Sequence, residues 1–377
     1  MLDVTKELER DSVVNAQWPA DVSKLLIIGC GGFVGSHILD ALLPHQSVDV
    51  VGIDPSDVKI KEHLGRPNFE LHRISFGDGT GWEKFDKYIQ WADVVINLAA
   101  ICNPADYNTR PLAVINSNFI KSHVLPELCQ KYDKWLVHFS TSEIYGRTIS
   151  SYIPDDNYSN LDLYELHEDS TPLIMGPIEN QRWTYACAKQ LLERYIYALH
   201  KEHGMSFTIV RPLNFFGPRM DFIPGRDGEG TPRVLACFMR ALLDRVPMQL
   251  VDGGTARRTI VSIKDAVRAV LLILQKRDRA ENQIFNIGNR NNEVTMAELA
   301  DLMRKTYAKI TGDSSYNDHP IVSVSRDGFY GEGYEDCDRR MPNLDKAKEL
   351  LGWEAVIPLE EAIYETMVWY HEHYSEK

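Results

Sequence analysis

The sequence is poor in basic residues, in paired cysteines and in long apolar runs, and each shortage removes a class of function. With 41 Lys and Arg against 54 Asp and Glu the net charge is −13, which argues against a polyanion-binding surface, so nucleic acid is not an expected partner. A local basic pocket for a diphosphate stays open. The six cysteines (Cys30, Cys102, Cys129, Cys187, Cys237, Cys337) are scattered without CxxC or metal-type spacing, so neither a disulfide framework nor a metal centre is expected. No apolar run or secretory leader points to a membrane or to export, and the reading is a soluble, reduced, cytoplasmic protein. Internal repeats and low-complexity tracts are missing as well. At 377 residues the chain has room for one large α/β domain or two smaller lobes. Residues 1–23 read as a polar N-terminal extension.

What is present begins at Lys24–Ile28, an apolar strand that runs into Gly29-Cys-Gly-Gly32-Phe33-Val34-Gly35 and then into a helical pattern from Ser36 to Leu43. Strand, glycine turn and helix start, in that order, bring a pyrophosphate onto backbone N–H groups at a helix N-terminus. Val48–Ile53 reads as the next strand, with Asp54 at its end, 19 residues after Gly35, where an acid accepts hydrogen bonds from ribose hydroxyls. No Arg or Lys follows until Lys59, so a 2′-phosphate would meet negative charge. NAD is therefore favoured over NADP. A third strand, Asp93–Ile101, ends in Leu98, Ala99 and Ala100, small enough at the alanines for a cofactor to approach the backbone. Cys102 and Tyr107 lie in the loop beyond it.

The chain is organised around FSTSEIYG, from Phe139, and QRWTYACAK, ending at Lys189. Tyr185 and Lys189 are four residues apart in a segment, Trp183–Leu199, with helical spacing, so both leave one face. A phenol with pKa about 10 is a poor base at neutral pH, and a fixed cation beside it pulls that value down. Taken alone this spacing also occurs on solvated helix faces. Its context is a buried strand, Trp135–Phe139, that delivers Ser140, Thr141, Ser142 and Glu143 to the edge where parallel sheets bind ligands.

Further along, Asn118–Tyr132 reads as helix, and the long insertion from Tyr145 to Gln181 as a lid over a substrate. Ser206–Pro212 reads as strand, followed by Asn214 and then by loops and short helices carrying Arg233, Gln249, Arg257 and Arg258. Those side chains suit either a solvated surface or a diphosphate. Asp265–Gln275 reads as helix and Ile284–Gly288 as strand, and the tail carries two amphipathic helices, Met296–Ile310 and Leu359–Tyr374. The fold class expected is α/β, a Rossmann-type doubly wound parallel sheet with a smaller C-terminal α/β substrate-binding lobe. The dinucleotide domain would span 24–212, its sheet completed by 258–288, and the lobe 213–257 with 289–377.

Together these residues resemble the extended short-chain dehydrogenase/reductase superfamily. The carrying motifs are GxxGxxG at Gly29, Gly32 and Gly35, NLAA at 97–100, and YxxxK at Tyr185 and Lys189. STSEIYG, QRWTYACAKQ, RPLNFFGPRMD and GYEDCDRR are similar to the decarboxylase domain of the bifunctional polymyxin-resistance enzyme and to plant UDP-apiose/UDP-xylose synthases. AICNPADYNTRP, FIPGRDGEGTPRVLACF and FYGEGYED are similar to the plant enzymes in particular. One departure is Ser142, where the plant motif has a second cysteine beside the retained Cys102.

The resemblance implies an NAD-dependent oxidative decarboxylation of UDP-glucuronate through a UDP-4-keto-pentose to UDP-xylose, with UDP-apiose in question because of Ser142. Tyr185 would be the base, Lys189 its partner, Thr141 or Ser142 a ligand of the same oxygen, and Glu143 a group acting after oxidation. Arg182 and Arg340 would handle the substrate carboxylate, and Cys102 would serve any ring contraction. Cofactor contacts would come from Gly29, Gly32, Phe33, Val34, Gly35, Asp54, Leu98, Ala99 and Ala100. Those to the nucleotide sugar would come from Tyr107, Asn214, Arg233, Gln249, Arg258 and Tyr334. A homodimer through the Lys121–Tyr132 and Trp183–His200 helices is implied too. Rival readings are release of the ketopentose, a 4-epimerase or 4,6-dehydratase on another nucleotide sugar, and an NAD-binding sensor without chemistry.

Overall fold

A computed structural model describes residues 18–75, 83–148, 151, 160–228, 232–330, 337 and 339–375. Its centre is a seven-stranded, wholly parallel sheet of β1 (Lys24–Ile28), β2 (Asp49–Ile53), β3 (Phe69–His72), β4 (Val94–Asn97), β5 (Trp135–Phe139), β6 (Phe207–Pro212) and β7 (Gln283–Ile287). Their spatial order is β7-β6-β5-β4-β1-β2-β3. The order reverses between β1 and β4, and ligands of such sheets bind at that switch, beyond the carboxyl ends of the strands.

Because side chains alternate along a strand, β1 serves both faces. Leu25 and Ile27 enter a core built with α1 (Phe33–Leu42), α6 (Ile263–Gln275) and the C-terminal elements; Leu26 and Ile28 enter a second core with α2 (Glu83–Trp91), α3 (Val124–Lys131) and α4 (Thr184–His203). Burial on both faces explains the apolar runs Leu25–Ile28 of β1, Val94–Ile96 of β4 and Trp135–Val137 of β5. α4 stops at Gly204, which takes the left-handed conformation (φ 74°).

Beyond β6 the chain builds α5 (Val234–Asp244), α7 (Met296–Thr311) and α8 (Leu359–Tyr374), and the strand Met248–Val251 pairs with Ile321–Val324. Four local expectations need correction. The run Asn118–Tyr132 is not one helix: a π-turn at Asn116–Ile120 and a break at 121–123 precede α3. Strand character in Asp93–Ile101 is confined to Val94–Asn97, because the alanines beyond it leave the sheet to line the ligand edge. The stretch after Asn214 is not only loops and short helices, since Leu235, Ala236, Phe238, Met239 and Leu242 form the buried stripe of α5. The tail adds two short helices, Arg326–Tyr330 and Asp345–Leu351.

The described part of the 145–181 insertion is tied to the body. Glu168 accepts from Asn286 N on β7 at 2.8 Å, its carbonyl accepts from Arg211 at 3.0 Å, and Glu165–Leu166 pairs with Met341–Pro342. Those bonds strap it to the sheet, and none of its described residues lines the cleft expected to lie beneath a lid.

Candidate active site

A cleft of about 710 Å³ opens at the carboxyl edge of the sheet. Its lining brings together Gly29, Gly32, Phe33, Val34, Gly35, Leu98 and Ala100 on one side with Cys102, Tyr107, Thr141, Ser142, Glu143, Arg182 and Tyr185 in the middle. Asn214, Arg233, Gln249 and Arg258 line the far side. Asp54, Ala99, Lys189 and Arg340 stand behind this wall, and Tyr334 lies outside the described residues.

The glycine side is a matter of close backbone approach. Gly29 sits at φ +87°, and a Cβ there would lie 2.9 Å from Ala99 N. A Cβ on Gly31 would lie 2.1 Å from Ser56 O and 2.8 Å from the Asp54 carboxyl carbon. The GxxGxxG spacing skips Gly31, so motif reading missed it; its signal is contact with Asp54 and Ser56 just beyond β2, which only the fold supplies. Gly31 N donates to Asp54 Oδ2 at 3.0 Å and Ser56 N to Oδ1 at 2.8 Å. Each oxygen keeps a lone pair for a ribose hydroxyl. No side chain caps the start of α1, so its first N–H groups face the cleft as a pyrophosphate needs. These residues fit NAD.

At the centre, Tyr185 is buried, and its ring stacks on Tyr107 at 5.0 Å and 8°. The Tyr107 hydroxyl donates to Cys102 O at 3.0 Å, and Thr141 hydrogen-bonds the Tyr185 phenol. The expectation of a cation-lowered phenol is not met in this state. Burial, followed by Cys102 and Glu143, pushes Tyr185 well above its ordinary value. Lys189, one turn on, donates to Phe139 O at 2.7 Å and contacts His138 Nε2 at 3.2 Å. Burial pulls its amine down to about 8, against an upward pull from Glu193 and Cys102.

The side around Glu143 is a matter of charge. Arg340 Nη1 donates to Glu143 Oε1 at 2.6 Å, and Arg182 Nη2 lies 2.5 Å from Oε2. Burial works to raise the Glu143 carboxyl, but the two guanidiniums overcome it and hold the pKa at about 2. The arginines expected to meet a substrate carboxylate thus grip the protein's own first. FSTSEIYG presents Glu143 through a 3-10 turn, Ser142–Tyr145, capped by Thr141 Oγ1, which accepts from Glu143 N at 3.1 Å. Arg182 also lies 5.5 Å from the Tyr107 ring centroid, so charge site and phenol site share one wall.

Around the rim, Arg233 Nε donates to Asp221 Oδ2 at 3.1 Å, Asn214 Nδ2 to Thr259 O at 2.8 Å, and Arg258 Nη1 to Arg257 O at 2.7 Å. Among the lining groups that sequence reading did not assign to the site are Cys337 and Arg326. Cys337, buried, donates from Sγ to Arg339 O at 3.1 Å, and Arg326 pairs with Asp252 at 3.0 Å. Both come from segments without periodic signal.

Similarity to known proteins agrees with this geometry. Residues 25–288 match the model of the NAD dependent epimerase/dehydratase family. The chain is 47% identical over 369 residues to UDP-D-apiose/UDP-D-xylose synthase 2 of Arabidopsis thaliana, covering 95% of this chain and 94% of that one. It is 47% identical over 363 residues to UDP-D-apiose/UDP-D-xylose synthase of Oryza sativa subsp. japonica, with 93% and 90% covered. Among solved structures, the PbgP3 protein of Burkholderia pseudomallei superposes with a TM-score of 0.80 at 27% identity, over 94% of this chain and 98% of that one. UDP-glucuronic acid 4-epimerase of Bacillus cereus, in complex with UDP-glucuronic acid and NAD, shares the fold with a TM-score of 0.73 at 20% identity, over 93% and 100%. Glycine turn, sheet order and Tyr-Lys helix, matched over most of the chain, lead to one conclusion: the protein belongs to the NAD dependent epimerase/dehydratase family.

Proposed function

We propose that the protein oxidises UDP-glucuronate at C4, releases its C6 carboxylate as CO₂ and returns UDP-xylose. The observation that carries this reading is Glu143 clamped between Arg182 and Arg340 on the wall that holds Tyr185. Two guanidiniums and one carboxylate leave a net charge of +1, which suits a hexuronate and serves no purpose for a neutral hexose.

NAD, when bound, supplies the hydride acceptor for C4. Tyr185 takes the C4 hydroxyl proton, and Thr141, hydrogen-bonded to the phenol, fixes the direction of transfer. The resulting 4-ketone is β to the carboxylate, so CO₂ leaves with its electron pair absorbed as an enolate. Arg182 and Arg340 orient the departing carboxylate. Glu143, ionised at neutral pH, weakens their hold on it, so that the clamp binds the acid without stabilising it against loss. C5 is then protonated, the hydride taken from C4 at the start would be returned to the ketone carbon, and Tyr185 gives its proton back to the C4 oxygen. Arg233, Gln249 and Arg258 on the rim face the diphosphate and nucleoside.

Cys102, exposed in the cleft, is the thiol available to a branch toward UDP-apiose; Ser142 removes the second thiol of the plant motif, which favours UDP-xylose as the main product. We further propose a homodimer through α3, α4 and the preceding turn, where Ile120, Leu191 and Tyr197 are exposed apolar residues. Among the described residues no helix is long and apolar enough to cross a membrane, and the reduced cysteines are in keeping with the cytoplasm.

The test is product analysis. Incubated with UDP-glucuronate and NAD, the protein is expected to form UDP-xylose and CO₂, identified by NMR. A six-carbon 4-epimer with no CO₂ would overturn the reading.

A further inference from the structure

Outside the cleft, and unused by the reaction above, one buried asparagine touches three separate segments at once. Asn286 lies on β7, the edge strand of the sheet, and neither it nor Tyr145, at 0% and 1% exposed, lines the cleft. An edge strand leaves outward N–H groups unpaired, and Glu168 Oε1 takes the one at Asn286 at 2.8 Å. The Asn286 side chain then makes bonds of its own. Its Nδ2 faces Leu166 O at 2.8 Å and Asn343 O at 3.4 Å, and its Oδ1 faces the Tyr145 hydroxyl at 2.9 Å. Carbonyl oxygens only accept, so the amide stands one way round and Tyr145 must donate to it. Arg211 Nη1 donates in turn to the Tyr145 oxygen at 2.8 Å. Each bond of the series therefore has a single direction.

Both ends of the series lead to the clamp. Tyr145 closes the turn Ser142–Tyr145 that presents Glu143, and the next residue, Gly146, accepts through its carbonyl from Arg340 Nη2 at 3.3 Å. Asn343 follows Arg340 by three residues, and between them Met341–Pro342 pairs with Glu165–Leu166. A ladder of two residues fixes register poorly, and a slip by one would turn its side chains to the opposite face. Asn343 N donates to Leu166 O at 2.9 Å, and the Asn286 amide reaches the carbonyls of both segments from the side. That contact guards the register in which Arg340 meets Glu143.

We infer that Asn286 is a positioning residue for the Glu143–Arg340 clamp, locking the segment that carries the arginine to the turn that carries the carboxylate. It acts through two backbone carbonyls and Tyr145, at no point touching the cleft. An apolar side chain could fill the same space, but it would remove the donor that the two carbonyls share and leave the Tyr145 hydroxyl without its acceptor. What the clamp then holds rests on the reading given above, in which Arg340 orients the substrate carboxylate.

Two variants test this. Asn286→Asp keeps the volume and the acceptor for Tyr145 but sets an oxygen against the two carbonyls, whereas Tyr145→Phe removes one hydroxyl only. Both are measured in the full chain with NAD bound and with Tyr185→Phe as the parent background, so that no sugar turns over. Without sugar, the ¹³C-labelled carboxyl of Glu143, identified by its loss in Glu143→Gln, should titrate about one pH unit higher in Asn286→Asp than in the parent, because one guanidinium has moved away. Tyr145→Phe should shift it in the same direction by less, and carries the test should Asn286→Asp not fold. A Glu143 titration unmoved in the folded variants overturns the proposal, whatever substrate the enzyme takes. With sugar, calorimetry should show Kd for UDP-glucuronate raised about tenfold in Asn286→Asp and Kd for UDP-glucose held within about twofold. Equal weakening of both sugars would be general loosening and overturns the proposal as well. If the parent itself does not distinguish the two sugars while the Glu143 titration moves, the substrate reading falls and the positioning role stands.

Discussion

The two sides of the cleft recognise by opposite means. On the glycine side the wall is backbone, and selectivity lies in what is missing: a single Cβ at position 31 would lie 2.1 Å from Ser56 O. On the Glu143 side the wall is side chain, with charge held out of water and Glu143 at 2.6 and 2.5 Å from two guanidiniums. Shape alone suits a cofactor common to many reactions. Charge suits the part of the substrate that differs between them. Tyr185 stands where the two meet, and changes on either side should therefore fail in different ways.

The largest effect is expected at the meeting point. Tyr185→Phe keeps the ring stacked on Tyr107 and removes the proton acceptor, so nicotinamide reduction should fall by about 10²-fold or more while NAD affinity is unchanged. Stopped-flow absorbance and a binding titration check both halves. On the charge side, Glu143→Ala leaves two buried guanidiniums without their carboxylate and should cost about 3–5 kcal/mol of stability in denaturant unfolding. The pH dependence follows the same pair. A carboxylate whose folded pKa is about 2, below its ordinary 4.5, contributes stability that is complete above pH 4.5 and lost as pH falls toward 2. Acid unfolding should therefore be shallower in Glu143→Gln than in the parent.

On the shape side, Gly31→Ala should cost about 1–3 kcal/mol in stability through overpacking against Ser56 and Asp54 and weaken NAD binding, without altering the ratio of CO₂ released to nicotinamide reduced. The smallest change is Asp54→Asn. It keeps an acceptor for Gly31 N while removing the charge, and NAD affinity should drop by about tenfold, with NADP discrimination relaxed. Isothermal titration with both dinucleotides reads this. If Gly31→Ala changed the CO₂ ratio, or Glu143→Gln changed NAD affinity, the separation of the two sides would be wrong.

Legibility in the sequence follows the same division. The dinucleotide side is local: β1, the glycine turn and α1 are contiguous, and period and composition announce them. Asp54 comes one strand later and was equally readable. The Glu143 side is assembled from positions far apart in the chain; Glu143 meets Arg340 across 197 residues. No spacing rule reaches that far: Glu143 was readable from its place just after β5, but only likeness to a family suggested Arg182 and Arg340. What likeness did not suggest is that the arginines would be occupied by Glu143, or that Lys189 would turn to Phe139 O and His138. Those choices depend on which polar groups find partners once water is gone, which is decided by the packed interior. The helix α5 was missed for a simpler reason: basic and polar residues on its flanks drew attention from the apolar stripe between them.

The central claim is that oxidation at Tyr185 comes first and makes loss of CO₂ possible, with Glu143 acting only afterwards. Its most direct test is a single-turnover experiment on Glu143→Gln with UDP-glucuronate labelled with ¹³C at C6, following nicotinamide absorbance and labelled CO₂ together. The account expects the absorbance to rise and persist while little label is released. Undiminished CO₂ release from that variant, or no absorbance change at all, would contradict it.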